Sequence, residues 1–172
     1  MLPDKIVRKR LNKSPRKVTP KNICTSAERL SKKMISPRDY EWVEMRIIGV
    51  GGSDNDWSAI ITSEDENASI SVEINPMHAS YIICSLKELN GMMMHPTPYQ
   101  VIENLATTMR MSTNCAIIET SQDDLLSGKI EMSIPGGRTL YHGLSAADAI
   151  TFAATTSKPL YMLRGLVNRL TD

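Results

Sequence analysis

Apolar and polar residues alternate most cleanly at Ser69–Ile74, where Ile70, Val72 and Ile74 interleave with Ser69, Ser71 and Glu73. Side chains on a strand point alternately to its two faces, so this period of two predicts a strand with one wet face. The same alternation recurs over 129–134, where Ile130, Met132 and Ile134 interleave with Lys129, Glu131 and Ser133. Further strands are expected at 41–50, 57–62, 114–120, 139–142 and 159–162. They are punctuated by Gly51-Gly52, Asp54-Asn55-Asp56, Glu64-Asp65-Glu66-Asn67, Ser127-Gly128 and Pro135-Gly136-Gly137. Gly49-Val50-Gly51-Gly52 opens no helix and reads as a turn.

Three segments change to helical spacing. Asn75 occupies an N-cap position before Pro76, and Ala79, Ile82, Ile83 and Leu86 follow at i, i+3, i+4, i+7. Thr97 and Pro98 open a second helix running to about Met111, with Ile102, Leu105 and Met109 as its expected core stripe. Ser145 opens a third, with Asp148 three residues on, close to a capping box. Its stripe of Ala146, Ala149, Ile150 and Ala153 is slim enough to pack close to a sheet. A terminal helix is expected at 166–170. The order βββ-α-α-βββ-α-β-α groups strands in meanders. The expected fold is therefore α+β, a largely antiparallel twisted sheet of two β-meanders with three to four helices. The two meander-plus-helix halves hint at an internal duplication.

Charge divides the chain. Residues 1–38 hold twelve Lys/Arg against Asp4 and Glu28, a net of +10; the remainder holds eight basic and seventeen acidic residues, a net of −9. Residues 1–39, polar and containing Pro3, Pro15, Pro20 and Pro37, read as a mostly disordered basic tail with a short helix near 26–34; 40–172 reads as one folded domain. Lys5, Arg8, Lys9, Arg10, Lys13, Arg16 and Lys17 are candidate contacts to nucleic acid, because neutralised phosphates release counterions. A solvated tail that leans on its own acidic domain is the competing reading.

No apolar run reaches the ~18 residues that span a bilayer. The leader lacks the apolar stretch of a secretory signal, and its prolines argue against an amphipathic targeting helix. Cys24, Cys84 and Cys115 are odd in number and widely spaced, which predicts free thiols and a cytoplasmic location.

Four motifs in order along 45–162 resemble the bifunctional nuclease (BFN) domain family. They are Ile47-Ile48-Gly49-Val50; Glu73-Ile74-Asn75-Pro76-Met77-His78-Ala79; His95-Pro96-Thr97-Pro98-Tyr99-Gln100-Val101; and Ala146-Ala147-Asp148-Ala149-Ile150-Thr151-Phe152-Ala153, followed by Pro159-Leu160-Tyr161-Met162. The resemblance implies cleavage of RNA and DNA, assisted by Mg²⁺ or Mn²⁺ held at Asp148. It also departs from the family pattern: His78 stands where the family has Glu, Tyr99-Gln100 where it has His-Asp, and Ala147 where it has Ser.

The catalytic candidates are accordingly Asp148, His78, Tyr99, Gln100 and Glu103, with Glu119 and the Asp54/Asp56 pair as further carboxylates. His78 qualifies as an acid–base group if it faces Tyr99 and Asp148. Each has a plainer reading: Asp148 as a helix cap, Glu103 as a solvent-facing residue, Asp54/Asp56 as a turn. Aromatic residues make up only 5% of the chain, and no base-stacking platform is expected. Two functions follow: a nuclease whose tail holds its substrate, or a catalytically reduced adaptor that keeps the fold and binds a protein or nucleic-acid partner. In either case the domain is expected to form a homo-oligomer without contacting a membrane.

Overall fold

In the computed structural model, which describes residues 41–53, 56–65, 68–87, 95–120 and 125–171, seven strands form one open sheet. They are β1 (Trp42–Ser53), β2 (Asp56–Ser63), β3 (Ser69–Ile74), β4 (Ser112–Thr120), β5 (Leu126–Ile134), β6 (Arg138–Ser145) and β7 (Leu160–Leu163). The helices are α1 (Pro76–Leu86), α2 (Pro98–Thr108), α3 (Ala146–Thr156) and α4 (Arg164–Thr171). The chain divides into Met1–Ile35 and Ser36–Asp172, and only the second contains described residues. The basic residues Lys5 to Lys17, Asp54 and the expected helix at 26–34 lie outside the described residues.

The strand order is β3-β2-β1-β7-β4-β5-β6. Each meander is antiparallel, and β7 joins them, antiparallel to β1 and parallel to β4. Each meander leads into a helix, α1 after β3 and α3 after β6. The α+β, largely antiparallel architecture is therefore the one its alternating patterns predict.

Register places the apolar residues on one face. Met45 pairs with Leu160, Leu160 with Ala116, and Ala116 with Ile130; Ile61 pairs with both Ile47 and Ile70. The helices cover this face. Ile61, Ile82, Ile118, Ile150 and Phe152 are fully buried there, each contributing about 1.5–3 kcal/mol relative to exposure. Helix α3 lies at the centre, packed against α1, α2, β4 and β5. Its slim stripe is buried as expected, and Thr151, Phe152 and Thr155 are buried too. Thr151 and Thr155 return their hydroxyls to carbonyls within the helix, which lets polar residues occupy an apolar setting. Gly128 admits the helix: a β-carbon there would lie 2.5 Å from the Ala149 β-carbon and 2.7 Å from the Ser145 carbonyl oxygen.

Four expectations are corrected. Gly51-Gly52 does not end β1 but continues it to Ser53, and Gly52 takes φ +144°, a value that only glycine adopts readily. Ser127-Gly128 lies within β5 rather than in a turn. Ile102, Leu105 and Met109, expected as a core stripe, are 42%, 57% and 66% exposed. The buried residues of α2 are instead Tyr99 and Ala106. Glu103, expected to face solvent, points to the same side: its Oε1 lies 2.9 Å from Lys158 Nζ and accepts from Thr113 Oγ1 at 3.3 Å. The side that faces the body thus combines Tyr99 and Ala106 of the core with the Glu103 ion pair.

Candidate functional site

Three helices begin beside one carboxylate. Asn75 caps α1 by accepting from the His78 amide at 2.9 Å, which fixes His78 in the first turn. Thr97 and Gln100 form a complete capping box on α2, with Pro98 at its start, and this places Tyr99 in the first turn. Ser145 caps α3 by accepting from the Asp148 amide at 3.0 Å. Cap chemistry that is local in sequence thus aims three side chains at one point.

Asp148 Oδ1 accepts from the Tyr99 hydroxyl at 2.7 Å and lies 3.1 Å from His78 Nε2. Asp148 Oδ2 accepts from the Ser145 hydroxyl at 2.6 Å. This is not the reciprocal capping box the spacing suggested, because the carboxylate takes the cap's hydroxyl rather than its backbone amide. A carboxylate offers about four lone-pair sites, and three are filled from within the chain. The Asp148 side chain is 35% exposed and that of His78 10%.

The electrostatics follow from these contacts. Burial pushes the Asp148 carboxyl up, but the hydrogen bonds from Ser145 and Tyr99 and the adjacent His78 outweigh it, leaving it below its ordinary value. Burial, the hydrogen bond to Asp148 and that group's negative charge push the Tyr99 phenol well above its ordinary range. With Nε2 turned to a carboxylate, the network assigns the His78 proton to Nε2. Its Nδ1 is buried without a hydrogen-bond partner, so no reactant can reach that nitrogen in this conformation.

His78, Tyr99 and Asp148 thus meet, while Gln100 and Glu103 lie elsewhere. Gln100 is spent on the capping box and on the Thr155 carbonyl, to which its Nε2 donates at 3.3 Å. Both residues line a polar groove of about 450 Å³ with Thr155 and Ser157, at the far end of α3. That end is about 10 Å from Asp148 along the helix. Glu119 is paired with Lys129 at 2.6 Å.

A two-ion phosphodiesterase centre needs several carboxylate oxygens converging to hold two ions about 4 Å apart. Among the described residues no three His, Cys, Asp or Glu side chains converge. The groups facing Asp148 are an imidazole N–H and two hydroxyls, all donors to it. This donor set does not fit a Mg²⁺ or Mn²⁺ pair, and among the described residues Asp148 is the sole carboxylate in the cluster.

The structure also reveals a second feature. Trp42, Tyr141 and Tyr161 gather on the sheet face away from α1, α2 and α3, around a groove of about 620 Å³ floored by Cys115 and Ile117. Aromatic residues are only 5% of the chain, yet three of them share this face. The sequence did carry a signal: 115–118 and 160–163 are apolar without alternation, as in strands covered on both faces. Lys129 Nζ lies 5.5 Å over the Tyr141 ring. Burial and the charge of Glu131 push the Cys115 thiol up to about 11.

No protein-family model matches the chain, and no curated protein is significantly similar to it. Among the described residues no helix is long and apolar enough to cross a membrane.

Proposed function

We propose that this protein works by binding rather than by bond cleavage: a body of bifunctional-nuclease-like architecture that holds its partners without cutting them, with a basic arm for nucleic acid. The observation that carries this reading is the Asp148 cluster. Its carboxylate is engaged by three donors, its imidazole has one nitrogen on that carboxylate and the other sealed, and its phenol is held neutral. General acid–base catalysis needs an accessible group that exchanges its proton near neutral pH. The Tyr99 phenol and the Asp148 carboxyl are pushed away from neutral and the free His78 nitrogen is sealed, whereas together the three lock the starts of three helices.

The body's net charge of −9 repels phosphate, so attraction for nucleic acid comes from the +10 of residues 1–38. The experiment is binding of single-stranded RNA and DNA across a salt series, comparing wild type with a full chain in which Lys5, Arg8, Lys9, Arg10, Lys13, Arg16 and Lys17 are all Gln. The substitutions are expected to weaken binding more than tenfold at low salt and to flatten its salt dependence. Equal binding by both proteins would sink the role of the arm.

A second reading, metal-assisted cleavage as the resemblance implies, is favoured by one observation. Positions singled out from three distant motifs converge on a carboxylate that solvent reaches.

A further inference from the structure

We infer that the sheet face opposite α1, α2 and α3 is where this protein meets the bases of single-stranded nucleic acid, which stack on Trp42, Tyr161 and Tyr141. The inference rests on the nucleic-acid binding proposed above and adds the surface that the bases touch. Helices cover one face of the sheet, and the second face of such a sheet is ordinarily polar. β3 obeys that rule, turning Ser69, Ser71 and Glu73 outward. The central strands break it. Val43, Met45, Leu160 and Met162 are buried toward the helices, so their neighbours Trp42, Tyr161 and Leu163 point the other way. Tyr141 of β6 pairs with Glu131, which alternates with the buried Ile130 and Met132, and so shares that outer face. Trp42 is 50% exposed and Tyr141 56%. Half-exposed rings along a groove offer a stacking surface to any base, because every base has a π-face.

Register sets the spacing of the rings. Strands lie about 4.8 Å apart and rise about 3.3 Å per residue, which puts Tyr161 about 8 Å from Trp42 and Tyr141 about 16 Å further on, obliquely across the sheet. That track suits a strand of several nucleotides, and a sheet can hold one by stacking two or three bases on its aromatics. Charge decides which part of the strand lies here. Glu119 is engaged by Lys129 at 2.6 Å, and Glu131 accepts from Asn114 at 2.9 Å and from Tyr141 at 3.2 Å. The face has no surplus of cations for phosphates, so it suits the uncharged bases, and the phosphates are left to the arm. Arg38, the last of the arm's twelve basic residues, comes four positions before Trp42, which begins β1 and lines the groove. The arm therefore joins the body at the groove's rim, which favours nucleic acid over a protein as the occupant. A duplex keeps its bases paired inside and cannot offer them to the rings.

The test titrates the full chain with an oligothymidylate of about 12 nucleotides, within the range that single folds hold. The chain has two tryptophans, so Trp57→Phe leaves Trp42 as the reporter. The oligothymidylate is expected to quench Trp42 fluorescence. An abasic sugar-phosphate strand of the same length, which keeps the charge and lacks the bases, and a duplex are expected not to. By anisotropy of the labelled strand, Trp42→Ala and Tyr141→Ala should each weaken binding about tenfold, with unchanged salt dependence and far-ultraviolet circular dichroism. Trp42→Phe keeps a ring and should weaken it by under about threefold. Two half-exposed positions guard against one variant failing to fold. Binding without quenching, quenching by the abasic strand, or folded alanine variants that bind like wild type would overturn the inference. The arm is read separately, by the salt dependence that the glutamine-substituted chain loses. Those outcomes therefore overturn the face and not the arm, whereas a wild type that binds no strand overturns both.

Discussion

Tyr99 donates its hydroxyl to Asp148 Oδ1 at 2.7 Å across 49 positions of sequence, tying the start of α2 to the start of α3. Burial and that carboxylate raise the phenol above its unfolded value near 10. The sign is that of a raised group: its contribution to stability is complete below about pH 10 and is lost as pH climbs toward the folded value. Alkaline titration followed by tyrosinate absorbance and circular dichroism should show one tyrosine ionising only as the fold is lost. Tyr99→Phe should remove that component and soften the alkaline fall in stability.

Asp148 behaves oppositely. Its lowered value means that stability is present above about pH 3.9, the unfolded carboxyl range, and is lost as pH falls through the lower folded value. Asp148→Ala strips the acceptor from Tyr99 and His78 and should cost about 1–3 kcal/mol in urea unfolding at neutral pH. Asp148→Asn keeps one acceptor oxygen and should cost less. Both variants should lack the part of the acid-limb loss of stability that Asp148 contributes. An Asp148→Ala variant as stable as wild type would show that the network does not hold the helices.

Gly128→Ala drives a β-carbon against the Ala149 β-carbon and the Ser145 carbonyl, neither of them a flexible side chain that can swing away. A loss of about 1–3 kcal/mol is expected from this overpacking, read as a lower midpoint of thermal unfolding. Gly143→Ala in β6 meets nothing within 4 Å and should change the midpoint little.

The rotation of α2 is testable by truncation. Ile102→Ala and Leu105→Ala, at exposed positions, should each cost under about 0.5 kcal/mol in chemical denaturation. Ile82→Ala, fully buried in α1, should cost about 2–5 kcal/mol. Equal costs would mean that α2 turns its apolar stripe inward.

The fold was legible where local chemistry and burial agree. β3 spans the residues its alternation predicts, and Asn75, Thr97 and Ser145 cap the helices they were expected to cap. Legibility failed where a tertiary contact outweighs a local preference. Gly128 resembles a turn glycine until the approach of α3 explains it, and α2 hides its rotation because Glu103 finds Lys158 far along the chain. The central place of β7 could not be read from its own four residues. In the candidate site, cap spacing put His78, Tyr99 and Asp148 each in a first helical turn. That they touch depends on how α1 and α2 pack against α3, which no local pattern encodes.

Whether Asp148 holds the fold together or cuts a phosphodiester is decided most directly by incubating the protein with labelled single-stranded RNA and DNA in EDTA, Mg²⁺ or Mn²⁺, alongside Asp148→Asn checked for intact folding. The substrates are expected to remain whole with both proteins under every condition. Metal-dependent cleavage by wild type that disappears in the folded variant would contradict a binding role and make Asp148 a catalytic carboxylate.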